Sequence, residues 1–455
     1  MKKVNYLFAL FMVLCAIACA NEDNLTTEKG ILDEAFNDST LVSIVEETNP
    51  NLIIKEGILC QHEQTIRILR NGVADAIVKL GEPVIVSQAN MKVSWGYYQF
   101  PGICIEDDST LVVKWQMKKD TPETYLLPHN GLNVMVSTDG GKTWVVPDKE
   151  YPERHSPRIA LRNGDLLQAE SIQKNVTEYA EFPDKMNETT IGDTDYYRYN
   201  DLPEELKGFY LSTWNKNSGF QKFHATMTNP TLLRSTYKDL MSIVFWGDMR
   251  MLPDGSIIAV IYPSCYQTPS GISSSVTFYK STDEGKSWDY MSALVYPKSS
   301  ENDEGYFEEP TFEILKDGSL VSILRTGNTT SMFKSSSIDG GKTWTTPAPF
   351  TPNGVAPVVK RLGNGTLVLT SGRPGTQIRF CLDEKGELWT EPIEMVPFMN
   401  TDGTYDLWGA SCGYTSILPI DDNSFYMVYS DFKSKDENGE ERKAIMFRTI
   451  TIKRR

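Results

Sequence analysis

Hydrophobic and polar positions in this chain alternate in short runs, not in helical stripes. Six runs leave a polar turn and pass at once into apolar or β-branched residues. They are "STLVVKW" from Ser109, "GDLLQAE" from Gly164, "GSIIAVIY" from Gly255, "GSLVSILR" from Gly318, "GTLVLTSG" from Gly365 and "NSFYMVYS" from Asn423. Each follows another short apolar run, as in "FEILKDGSLVSIL". Extended runs joined by Asp-Gly or Asn-Gly read as β-hairpins, because these residues accept the backbone angles of a tight turn. No long amphipathic helical pattern competes with them after residue 90. Hairpins in series predict six repeated units of about four strands each.

A second repeat lies over the first. "STDGGKTW" (Ser137 to Trp144) returns as "STDEGKSW" (Ser281 to Trp288) and "SIDGGKTW" (Ser337 to Trp344). A degenerate copy, "CLDEKGELW", runs from Cys381 to Trp389 with one residue inserted. The Asp suits capping of backbone amides, the Gly accepts positive φ, and the Trp packs to pin the hairpin. The repeat falls where the third and fourth strands of a unit should meet, so its expected role is structural.

These S-x-D-x-G-x-x-W units resemble the Asp-boxes of the sialidases (neuraminidases) and related propellers, over roughly residues 90–453. The fold so implied is all-β, a six-bladed β-propeller with Asp-box repeats. Asp-boxes indicate the fold; several propellers that carry them are not sialidases, so function must come from the pocket.

The first 90 residues alter the domain picture. "MKKVNYLFALFMVLCAIAC" has a basic start, an apolar run and small residues before a cysteine. Residues 1–18 are therefore expected to be a signal peptide. Ala18-Cys19 resembles the bacterial lipoprotein processing site, which implies lipidation of Cys19, a lipid anchor, and export to the periplasm or outer-membrane surface. Residues 19–90 read as a tether plus leading strands that close the ring, and residues 91–455 as the propeller. The formal net charge of −15 argues against a nucleic-acid partner, which needs a basic face. The cysteines beyond the signal lack metal-ligand spacing, so no metal site and no cofactor is expected.

Candidate chemistry lies where first strands of the units begin: "YYQFP", "RHSPR", "FWGDM", "YFEEP", "NGVAP" and "WGASCGYTS". These stretches offer Gln99, His155, Asp248, Glu308, Glu309, Trp408 and Tyr414. Aromatic, carboxylate and polar groups together suit a glycan. The sialidase resemblance adds roles. "EEPTFEILKDGSLVSILRT" is similar to the segment carrying a glutamate and, one hairpin later, an arginine; Glu309 and Arg325 match. "CGYTSILPIDDNSFYMVYSD" is similar to the segment carrying the tyrosine nucleophile, matched by Tyr414. "SGRPGTQIRF" precedes the degenerate box as the last carboxylate-binding arginine does; Arg373 is preferred over Arg379. The resemblance implies that Tyr414 attacks, Glu309 is its base, and the two arginines hold the carboxylate of a terminal acidic sugar.

Two departures stand out. Where sialidases carry the first of three arginines, "YQFP" places Gln99, which can donate hydrogen bonds but brings no charge. Arg154 or Arg158, flanking His155, could substitute for it. The acid/base aspartate falls in "KKDTPETYLLPHNGLNVMV", where Asp120 is preferred over Glu123. Asp248 is the alternative acid of a remodelled site. A glycosidase of changed specificity, or a glycan-binding lipoprotein without catalysis, are the other readings.

Overall fold

The computed structural model describes residues 33–47, 57–106, 109–121, 132–151, 157–186, 194–228, 232–268, 271–297 and 305–455, with Gly30 and Ile54. Regular structure among them is almost entirely β-strand.

All six turn-and-apolar runs become the second strand of an antiparallel meander. Leu111–Met117 lies between Tyr97–Ile105 and Leu132–Ser137. Leu166–Glu170 lies between Arg158–Ala160 and Phe209–Asn215. Ile257–Thr268 is flanked by Trp246–Met251 and Gly271–Ser281. The next two are Leu320–Arg325, between Glu308–Ile314 and Phe333–Ser337, and Leu367–Gly372, between Val355–Arg361 and Thr376–Cys381. In the last, Ser424–Lys435 lies between Thr415–Pro419 and Glu441–Arg454. Fourth strands follow in sequence at Gly219–Thr228, Ser287–Val295, Ala348–Pro349 and Ile393–Glu394.

The last meander takes its fourth strand from the other end of the chain. Val84–Gln88 and Val73–Leu80 both pair antiparallel with Glu441–Arg454. Gln64–Arg70 and Ser43–Glu47 extend the same sheet.

First strands touch in order. Arg158–Ala160 meets Trp246–Met251, which meets Glu308–Ile314, then Val355–Arg361, Thr415–Pro419 and finally Tyr97–Ile105. The Arg158 guanidinium donates to the Ile103 carbonyl at 2.9 Å and links the remaining neighbours. Apolar clusters fill the space between successive sheets. Ile258, Val260 and Phe278 of the third meander pack with Phe312, Leu320 and Leu324 of the fourth. Val321 and Ile323 of the fourth pack with Val359, Leu367 and Leu369 of the fifth. Leu320–Arg325 is therefore buried on both faces, which is why it reads as a continuous apolar run without alternation.

The eight-residue repeat folds identically each time. In the second copy Ser281 ends the third strand, and its hydroxyl donates to Asp283 Oδ1 at 2.8 Å and accepts from Gly285 N–H at 2.9 Å. Asp283 also accepts from the Ser287 N–H and hydroxyl, and the Trp288 indole N–H donates to the Gly285 carbonyl at 2.9 Å. The copies at Asp139 and Asp339 repeat this pattern. The degenerate copy keeps part of it: the Cys381 thiol replaces the serine and donates to Asp383 at 2.9 Å, the Gly386 N–H donates to Asp383 as well, and the Trp389 indole N–H donates to the Gly386 carbonyl.

Residues 172–240 divide between two sets of strands. Phe209–Asn215 and Gly219–Thr228 are the third and fourth strands of the second meander. The strands Ile172–Asn175, Thr194–Arg198, Leu232–Tyr237 and Leu240–Ile243 pair among themselves and join the extended end of Ile257–Thr268. Tyr197 is buried there against Phe182, so this aromatic pair serves packing.

Candidate active site

Glu309, Arg325, Arg373 and Tyr414 come together from three consecutive meanders. Glu309 sits in a bulge near the start of Glu308–Ile314, with φ of 41° and a register shift between Glu308 and Thr311. A bulge re-aims a side chain out of the ladder. Left-handed backbone at a glutamate costs about 1–3 kcal/mol and persists only where surrounding contacts hold it. Here the Ala356 N–H donates to Glu309 Oε2 at 2.8 Å.

The Tyr414 hydroxyl donates to Glu309 Oε1. Arg325 Nη1 lies 2.6 Å from Glu309 Oε2 and donates to the Tyr414 oxygen at 3.3 Å. The three groups thus close a triangle of hydroxyl, carboxylate and guanidinium. Phe100 sets its ring against Tyr414 edge-on, with centroids 4.5 Å apart. Gly413 precedes the tyrosine with φ of 84°, and a Cβ there would meet Val355 and Arg373 within about 3 Å. Burial, then the Glu309 carboxylate, push the Tyr414 hydroxyl well above the ordinary tyrosine range, against the pull of Arg325. In the resting protein this hydroxyl is a proton donor. Burial disfavours the charge of Arg325, but Glu309, Tyr414 and Glu308 outweigh it and hold the guanidinium above its ordinary value. Burial raises Glu308, whose carboxylate lies 3.7 Å from Arg325 Nε.

Arg373 follows Leu367–Gly372, with φ of 52°. Its Nε donates to the Cys412 carbonyl at 3.1 Å. Its guanidinium stacks over Trp408 at 4.5 Å and over Trp95 at 5.4 Å. Trp408 is 44% exposed, and its ring meets Trp95 edge-on. Asn328 Oδ1 accepts from Arg325 Nη2 at 2.9 Å and from Arg373 Nη1 at 2.6 Å, so one amide oxygen bridges the two arginines.

The other sequence candidates take different places. Asp120 accepts from the Trp95 indole N–H at 2.7 Å, which ties it to the aromatic wall beside Arg373. Its Oδ1 is buried without a hydrogen-bond partner among the described residues. Gln99 is fully buried, and neither atom of its amide has a partner among the described residues. Asp248 pairs with the Arg250 guanidinium and accepts from Thr311 Oγ1 at 3.0 Å. Burial alone would raise its carboxyl; the charges of Arg250 and Lys360 outweigh that and hold it below its ordinary value. It belongs to a charged network with Arg250 and Glu313, and none of its described contacts reaches Tyr414 or Glu309. Arg379 donates to the Thr390 carbonyl at 2.9 Å, away from Arg373. His155, Arg154, Glu123 and Cys19 lie outside the described residues.

Three participants carried no assigned role in the sequence. Glu308 is the first glutamate of "EEP", and only the bulge shows that both face Arg325. Trp95 lies upstream of "YYQFP". Asn328 lies in the turn after Arg325, where a polar residue reads as ordinary turn chemistry. Among the described residues no group of three or more His, Cys, Asp or Glu side chains is placed to hold a metal ion.

Chemically, the triangle can transfer the Tyr414 proton to Glu309 while Arg325 stabilises the phenolate that develops. The arginines and tryptophans beside it can receive an anionic or sugar-like group.

No protein-family model matches this chain, and no curated protein matches it. Among solved structures, a protein of unknown function from Dyadobacter fermentans aligns over 83% of this chain and 99% of its own, at 19% identity and a TM-score of 0.53. The intramolecular trans-sialidase from Ruminococcus gnavus aligns over 80% of this chain and 96% of its own, at 14% identity and a TM-score of 0.40. A leech intramolecular trans-sialidase aligns over 81% and 70%, at 14% identity and a TM-score of 0.42. Among the described residues the regular structure of this chain is nearly all β-strand, and the chain shares its fold with the Dyadobacter protein.

Proposed function

We propose that this chain is an exo-acting glycoside hydrolase of sialidase type on a six-bladed β-propeller, releasing a terminal sialic acid or related acidic sugar with retention. The observation that carries this reading is the Tyr414–Glu309–Arg325 triangle. A lone buried tyrosine is ordinary packing; one that donates to a carboxylate beside a guanidinium is built to lose its proton. The anomeric carbon of a sialic acid bears a carboxylate, which repels an anionic nucleophile and favours a neutral tyrosine. In this reading Tyr414 attacks that carbon and its proton passes to Glu309. Arg325 and Arg373 hold the sugar carboxylate, Trp408 lines the pocket, and Asp120 protonates the departing oxygen. Water then releases the sugar from Tyr414. His155 would complete the pocket wall, whereas Gln99, fully buried, would not touch the sugar. The six meanders with first strands touching in order support the propeller, residues 91–455, which Val84–Gln88 closes. Residues 1–18 would be removed and Cys19 lipidated, tethering the enzyme in the periplasm or at the outer-membrane surface.

The test is release of methylumbelliferone from its sialoside by the signal-less protein and by Tyr414→Phe. Turnover by the first and a loss of at least about a thousandfold in the second are expected. Full activity in Tyr414→Phe overturns the mechanism. A second reading, a propeller glycosidase acting on another sugar, is favoured by one observation: Gln99 is fully buried and uncharged where the resemblance implies a third arginine. Absence of sialoside turnover, with turnover of another acidic or a neutral glycoside, would select it.

A further inference from the structure

The two arginines proposed to grip a carboxylate are already bridged by an oxygen of the chain itself. Arg325 is close to saturated. Its Nε donates to the Gly327 carbonyl at 3.2 Å, its Nη1 serves Glu309 and Tyr414, and its Nη2 donates to Asn328 Oδ1 at 2.9 Å. Arg373 spends its Nε on the Cys412 carbonyl, and its Nη1 donates to the same Asn328 oxygen at 2.6 Å. A carboxylate gripped in bidentate fashion needs two adjacent N–H groups. On Arg325 every edge includes an N–H committed to Glu309, Gly327 or Asn328. Of these partners, only Asn328 is a neutral side chain that can swing away without orphaning a buried charge.

The turn that carries it is stitched together locally. Thr326 Oγ1 lies 2.6 Å from Thr330 Oγ1 and donates to the Ser331 carbonyl at 2.7 Å, while Arg325 itself holds Gly327. Asn328 is thus presented from a closed loop that folds back over its own arginine. An amide oxygen accepts the same N–H donors as a carboxylate oxygen but lacks the charge, so a carboxylate is the stronger occupant.

We propose that Asn328 determines the specificity of this site: its side-chain oxygen occupies the place of one oxygen of a substrate carboxylate between Arg325 and Arg373. An acidic sugar binds by displacing that oxygen, and an uncharged sugar has nothing to displace it with. The inference rests on the sialidase-type reading in its choice of acidic ligand.

The experiment compares the signal-less protein with Asn328→Ala and Asn328→Asp, using calorimetric binding of 2-deoxy-2,3-didehydro-N-acetylneuraminic acid and of its uncharged methyl ester. Asn328→Ala should bind the free acid at least about tenfold tighter, because the two hydrogen bonds that the Asn328 oxygen accepts from Arg325 and Arg373 no longer have to be broken, with the ester unchanged. Asn328→Asp fixes a carboxylate between the arginines and should abolish binding of the acid. Unchanged or weaker acid binding in Asn328→Ala overturns the proposal, as does failure of both wild type and Asn328→Ala to bind the acid. Sialoside hydrolysis separates the two readings. If acid binding tightens but wild type never turns over the sialoside, the displacement stands and the glycosidase reading fails. If wild type turns it over and Asn328→Ala leaves KM unchanged, the glycosidase reading stands and the displacement fails.

Discussion

Replacing Arg325 with methionine tests whether one guanidinium holds the site together. Methionine keeps the length and much of the apolar stem but removes the charge. Arg325 lies 2.6 Å from Glu309 and 3.7 Å from Glu308, and donates to Tyr414 and Asn328. Its side chain is 8% exposed and those of Glu308 and Glu309 are 18% and 17% exposed. Removing one partner of a buried pair leaves an uncompensated charge and costs about 3–5 kcal/mol. Here two carboxylates are orphaned, so Arg325→Met should fall within or above that range. Adding Glu309→Gln should return about 1–2 kcal/mol, because one orphan becomes neutral while the other persists. The pH dependence has a definite sign. Burial already raises Glu308, and Arg325 is the largest influence pulling it down. Without Arg325 its folded-state pKa rises further above the unfolded value. A carboxyl raised in this way favours the folded state at low pH, and that contribution is lost as pH climbs through the folded value. The deficit of Arg325→Met should therefore be largest at neutral pH and shrink toward pH 5. Urea unfolding midpoints at both pH values, with m-values checked for constancy, measure it. A cost below about 1 kcal/mol, or a deficit that does not change with pH, would refute the reasoning.

Two further outcomes are expected. Cys381→Ser restores the hydroxyl found in the other three copies of the repeat, exchanging a weak thiol donor to Asp383 for a stronger one; urea denaturation should show a gain of about 0.5–1 kcal/mol. Asp431 is pushed up to about 6, chiefly by burial, with the Lys433 N–H pulling the other way. Its stabilising contribution is complete below the unfolded value near 4 and is lost as pH rises through about 6, so wild type should lose on the order of 2 kcal/mol between pH 4 and 8 that Asp431→Asn does not lose.

Much of the fold was legible because its signals are local. Among the described residues the side-chain hydrogen bonds of Asp283 stay between Ser281 and Ser287, and Trp288 reaches back to Gly285. Contacts within eight residues leave a readable pattern, and that pattern survives in part even where Cys381 replaces serine. Second strands such as Leu320–Arg325 were readable for a different reason: burial on both faces forces an unbroken apolar run. The boundaries of the second meander were not readable. Its third and fourth strands, Phe209–Asn215 and Gly219–Thr228, lie inside a stretch rich in polar and aromatic residues that resembles an insertion.

The sequence alone determined the strand series and the four pinned turns, while the tyrosine, glutamate and arginines of the candidate site were implied by the sialidase resemblance of the segments that carry them. It could do so because hairpins, caps and apolar runs are short-range properties of the chain. Only the tertiary structure decided which of these side chains meet. Glu309 and Tyr414 are 105 positions apart, and their hydrogen bond exists because the fourth, fifth and sixth meanders pack in order and a bulge re-aims Glu309. The same packing sets the Thr311 hydroxyl against Asp248 and places the Asn328 oxygen between two arginines from different meanders. It also lets Val84–Gln88 complete the sheet that ends the chain. Contacts of that kind depend on the angles between sheets, which no short window of sequence contains.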